Sequence, residues 1–177
     1  MRRMAALFAT ILLIVLMAGC ATATVEMPDD FSLTFSWNTG ALPPAYRYDY
    51  VISIGPGAQG EFDFVPGYGD ENDSNRWVTS FDVTQENLQS LYAYFRDQGF
   101  FDVRWGGNDV ERVGGSTTSL ILTAFGKNHP VPSISTLNGA DLSKVEDAHD
   151  FIRFFVPDTV WEEMEARQAA FEASQLD

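Results

Sequence analysis

From residue 31 the chain alternates apolar and polar residues with a period of two. In FSLTFSW, Phe31, Leu33, Phe35 and Trp37 fall on one side and Ser32, Thr34 and Ser36 on the other. In YRYDYVISI, Tyr46, Tyr48, Tyr50, Ile52 and Ile54 share a side. Successive side chains of a strand point to opposite faces, so this pattern predicts strands with one buried and one wet face. EFDFVPG, WVTSFDV and STTSLILTAF repeat the period. Hairpin-length links between such strands imply antiparallel pairing, because parallel pairing needs a long crossover. Pro130 and Pro132 in HPVPS cannot donate to a ladder, which assigns that arm to a sheet edge.

The period changes in DVTQENLQSLYAYFRDQG. Leu88, Leu91, Tyr92 and Phe95 lie at helical spacing, with Thr84 as a predicted N-cap and Gly99 as a stop. FFDVRW reads as a further short strand. SKVE reads as a capping box, with Ser143 as N-cap and Glu146 three residues on. Val145, Ala148, Ile152 and Phe155 or Val156 continue as an apolar stripe until Pro157. Asp158 then opens a last helix whose inward side is Val160, Trp161, Met164, Gln168 and Phe171. Together these elements predict an α+β fold: an antiparallel sheet of about five or six strands with two to three helices packed on one face. The length suits a single domain over residues 31–177.

The N-terminus has another character. Arg2 and Arg3 precede an uncharged apolar run that ends at Cys20, the one cysteine of the chain. The run, Met4 to Gly19, is short for a bilayer span, which takes about 20 residues. Its layout is that of a secretory signal. Leu16-Met17-Ala18-Gly19-Cys20 resembles the lipobox of bacterial lipoproteins, with Met17 where that family more often has Leu. The resemblance covers residues 1–23. It implies that residues 1–19 are a signal peptide, that Cys20 carries lipid, and that residues 20–30 tether the domain to a membrane on its extracytoplasmic side. In a diderm bacterium, Ala21 after the cysteine points to the outer membrane by the same resemblance. The order and composition of the rest are similar to small α+β lipoproteins of unknown function.

Charge narrows the partners. The chain carries a formal −14, and loss of Arg2 and Arg3 with the signal takes it to −16. Nucleic acid is polyanionic and needs Lys and Arg to neutralise it, so it is not an expected partner. A cationic or neutral protein or glycan suits such a field better. An acidic surface low in lysine also suits salt-rich surroundings.

Few local motifs point to chemistry. Gly55, Gly57 and Gly60 fit G-x-G-x-x-G, but the next residues, EFDFVPG, alternate as a strand and do not start a helix. A dinucleotide site requires the helix, so the glycines are expected to form a hairpin and no nucleotide or other cofactor is expected. In GDENDSN, Asp70, Asn72 and Asp73 are candidate calcium ligands, although Asn75 and Phe81 stand where an EF-hand would need Gly and Glu. Glu146 and His149 form a single E-x-x-H, which reads as a surface histidine, since di-metal bundles need two such motifs. His129 lies in the edge hairpin without partner spacing. Tyr46, Tyr48, Tyr50, Trp77 and Trp105 read as packing aromatics, with a ligand-binding surface as the alternative. No hydrolase or zinc signature occurs. The expectation is a lipid-anchored binding or envelope-interaction module without catalysis. The alternatives are an envelope hydrolase with an unrecognised site and a calcium-dependent binding protein.

Overall fold

The computed structural model describes residues 26–69, 73–106 and 114–176. It contains strands β1 (Ser32–Asn38), β2 (Tyr48–Ile54), β3 (Gln59–Pro66), β4 (Trp77–Asp82), β5 (Thr117–Ala124) and β6 (Lys127–Val131). The helices are α1 (Gln85–Asp97), α2 (Gly139–Phe154) and α3 (Asp158–Leu176). The six strands form one open sheet in the order β4-β3-β2-β1-β5-β6, with every neighbouring pair antiparallel. The predicted α+β class is the observed one.

Register turns the period of two into a core. Phe35 faces Ile52 on β2 and Leu120 on β5, while Leu33 faces Ile54 and Leu122. Ile52 in turn faces Phe62 on β3. These side chains are buried, together with Leu88, Leu91 and Phe95 of α1 and Val145, Ala148 and Ile152 of α2. A slip of one residue would send the whole set to the other face. That other face carries Thr34, Ser80 and Glu61, which are exposed.

Glycine and caps act where geometry demands them. Gly55 to Ala58 make the β2–β3 turn, closed by Gly55 N–H donating to Gln59 O and Ala58 N–H to Gly55 O. The left-handed residue there is Ala58 (φ 55°), not a glycine. Gly60 serves close approach instead: a Cβ there would run into the Phe81 ring. Thr84 caps α1, its Oγ1 accepting from Asn87 N–H at 3.1 Å, and Gly99 (φ 70°) stops it.

Two expectations are corrected. Ser143 is not an N-cap: α2 begins at Gly139, with Asn138 at the cap position. Leu142 packs against the core and Asp141 places a carboxylate in the first turn, so the helix gains both apolar contact and a favourable dipole interaction by starting earlier. The segment FFDVRW forms a turn and coil, not a strand. Phe100 is buried, and its ring meets Trp105 edge-on.

The antiparallel order gives the sheet two distinct ends. At one, Asp30 ties the incoming chain to the β5–β6 turn, its carboxylate accepting from Phe125 N–H at 2.9 Å and Gly126 N–H at 2.5 Å. The β2–β3 turn lies at the same end. The other end holds Trp37, Tyr48 and Thr118, near the strand termini away from Asp30.

Candidate functional site

At the end away from Asp30, residues of α2 and of the sheet line a cleft of about 420 Å³. Its floor is Phe35 and Trp37 from β1, Tyr50 from β2 and Thr118 from β5. Its helical wall is Glu146, His149 and Arg153, with Asp147 and Asp150 beside them. The volume is in the range of small-ligand sites.

The floor follows from strand periodicity. Trp37 and Tyr50 are directly opposite across β1 and β2, so their rings stack, with centroids 5.3 Å apart and planes at 19°. Tyr50 stacks again on Phe62 at 5.5 Å, and Trp161 of α3 meets it edge-on at 5.3 Å. These contacts hold the Tyr50 ring in place. Its hydroxyl is buried and has no hydrogen-bond partner. Burial pushes its pKa up, so the group remains a neutral phenol. An unmet buried hydroxyl costs about 1–3 kcal/mol.

His149 reaches the same space from α2. It is 7% exposed, and its ring lies 4.6 Å from that of Phe35 at a tilt of 36°. Burial lowers its pKa to about 4, with Asp150 pulling weakly the other way, so the imidazole is neutral at pH 7. The expectation of a surface histidine is therefore corrected. The signal was present: His149 lies four residues after Val145 and three before Ile152, on the inward stripe of the helix.

A general base works best with a pKa near the working pH, and His149 is far below it. Thr118, the hydroxyl on the floor, already accepts from Ile134 N–H at 3.3 Å through Oγ1. Among the described residues, no group of three or more His, Cys, Asp or Glu converges as a metal-ligand set. What the cleft offers is an aromatic floor, the neutral polar residues Tyr50 and His149 in its lining, and a charged rim.

A second cleft, of about 500 Å³, lies across α2 between Tyr94 and Gln98 of α1 and Phe151 and Phe154 of α2. Tyr94 and Phe151 stack at 4.2 Å, whereas Phe154 is 82% exposed. Asp147 and Asp150 line both clefts. None of the ion pairs among the described residues uses Glu146, Asp147 or Asp150. The nearby cations turn to rings instead: Arg153 lies 4.8 Å over Trp161, and Lys144 Nζ lies 4.7 Å over Phe100 and 5.2 Å over Trp105.

The other predicted positions lie elsewhere. Cys20, Asp70 and Asn72 fall outside the described residues. Asp73 closes its own turn, Oδ1 accepting from Asn75 N–H at 2.8 Å and from its Nδ2 at 3.0 Å. Gly55, Gly57 and Gly60 belong to the β2–β3 hairpin, as expected. His129 sits on edge strand β6, its ring edge-on to Phe101 at 5.1 Å. Tyr48, Trp77 and Trp105 pack against the core and Tyr46 is exposed, so the aromatic set is split between packing and surface. Sequence reasoning missed Asp147, Asp150 and Arg153, which carry no motif and become neighbours of Tyr50 only through the helix–sheet packing. No protein-family model matches the chain, and no curated protein matches it.

Proposed function

We propose that this protein is a lipid-anchored, extracytoplasmic binding module without catalytic activity, and that its ligand occupies the cleft between α2 and the sheet. The anchor half of the reading rests on the resemblance of Leu16–Cys20 to a lipobox. The cleft half rests on one observation above all: Tyr50 is part of the floor of an open cleft, and its hydroxyl is buried there without a partner. Folds keep such groups satisfied as a rule, and a ligand acceptor reaching it would relieve the cost. Neutral His149 adds a second polar contact that needs no charge to be desolvated. The charged rim then selects what enters.

A backbone-amide NMR titration of the protein with a small-molecule fragment set tests the cleft. Shifts are expected to cluster at Trp37, Thr118 and His149. Shifts confined to the outer sheet face around Thr34 and Ser80 would contradict the assignment.

A further inference from the structure

We infer that the ligand is a cationic peptide segment, with a Lys- or Arg-type group held between Asp147 and Asp150 and apolar neighbours reaching into the clefts on either side of α2. The inference rests on the binding reading above and deepens it. Asp147 and Asp150 are the residues common to both clefts. They are one helical turn apart, and Glu146 is one turn from Asp150, so the like charges sit at the spacings where they destabilise a helix. Lys144 and Arg153, each three residues from one of these aspartates and each also lying over aromatic rings, offset part of this charge, but two cations face three carboxylates and the cluster stays net acidic.

Acidity alone would not make a site on a chain of formal charge −14. Here the acids stand between two built features. On one side is the cleft floored by Tyr50, whose buried, unpartnered hydroxyl is a donor suited to a peptide carbonyl. On the other, Phe154 presents nearly its whole ring beside the stacked Tyr94 and Phe151. A single exposed aromatic is ordinary, but this one borders a cleft that also contains Asp147 and Asp150, with Lys144 as its one cation. A ligand with a cation between apolar groups matches this order. An anionic ligand would meet three carboxylates, and a small inorganic cation would leave both apolar walls unused.

The test uses the full chain in neutral detergent and two pools of N-acetylated tripeptide amides. Both pools carry apolar outer residues. One has lysine at the centre, and the other has N-acetyl-lysine there. Calorimetry is expected to show the lysine pool binding about tenfold more tightly than the acetylated pool, as two exposed charge pairs supply. The double variant Asp147→Asn with Asp150→Asn is expected to reduce the lysine pool to the level of the acetylated one. Phe154→Ser is expected to weaken both pools alike. All three positions are exposed, and unfolding curves check that the variants fold. Equal affinity of the two pools would overturn the cationic assignment, while shifts at Trp37 and His149 with either pool would leave the cleft reading in place. Absence of binding by both pools would also overturn it, and unmoved Trp37 and His149 resonances in the fragment titration would then remove the cleft reading as well.

Discussion

His149 is held neutral by burial against Phe35, and this ties stability to pH. Its folded pKa, about 4, lies below the ordinary value of 6.5. Between those values the unfolded chain binds the extra proton, so stability must fall as pH drops through that window. The full effect is on the order of 3 kcal/mol, reached only near the lower limit. The groups around the ring are Asp150, Asp147 and Glu146, with Arg153 opposing them. Denaturant unfolding from pH 6.5 to pH 5 is expected to show a progressive loss that His149→Gln removes, because glutamine does not titrate. An identical pH slope in that variant would mean that another group is responsible. The position shows why a motif search looks past a residue like this. E-x-x-H draws attention to metal spacing, whereas the informative spacing runs from His149 to Val145 and Ile152, which place the ring inward.

Among the elements, the β5–β6 hairpin conflicts with its own turn. Phe125 (φ 54°) and Gly126 (φ 71°) form a two-residue link of the type that prefers Asn-Gly. A bulky residue in the left-handed region costs about 1–2 kcal/mol, which Asn largely avoids. The Phe125 ring is 66% exposed and so recovers little by packing. Phe125→Asn is therefore expected to raise stability by about 1 kcal/mol, and Asp30→Ala to lower it by removing the acceptor of both turn amides. Thermal unfolding of the two variants checks both signs; a less stable Phe125→Asn would mean that the ring makes contacts that matter. Most strands and α1 were legible because each rests on a local pattern: period two in FSLTFSW and in YRYDYVISI from Tyr48 on, Tyr46 belonging to a short 3-10 turn before the strand, and the Thr84 cap with the Gly99 stop. The start of α2 was not, because SKVE satisfies a capping pattern that Leu142 packing overrides. Ala58 shows the same limit, since nothing local marks it, rather than Gly57, as the left-handed residue of its turn.

In the whole molecule, the chain enters at Asp30, and the cleft opens at the opposite end of the sheet. Cys20→Ser is expected to release the protein into the soluble fraction or leave it uncleaved, as fractionation and the mass of the N-terminal fragment would report. Full cleavage before residue 20 with normal membrane retention would remove the anchor. The site as a whole was not legible from sequence, because it joins Trp37, Tyr50, Thr118 and an α2 stripe that are far apart in the chain and carry no shared motif. Only the strand register and the pose of α2 bring them together. The central claim is that the Tyr50 hydroxyl is kept for a ligand and not for the fold. Thermal unfolding of Tyr50→Phe in the absence of ligand tests it most directly. Phenylalanine retains the stacking on Trp37 and Phe62 and removes the unmet hydroxyl. The account predicts a variant more stable by about 1 kcal/mol, a rise of a few degrees in Tm. A fall in Tm would show that the hydroxyl is bonded within the fold, and would contradict the account.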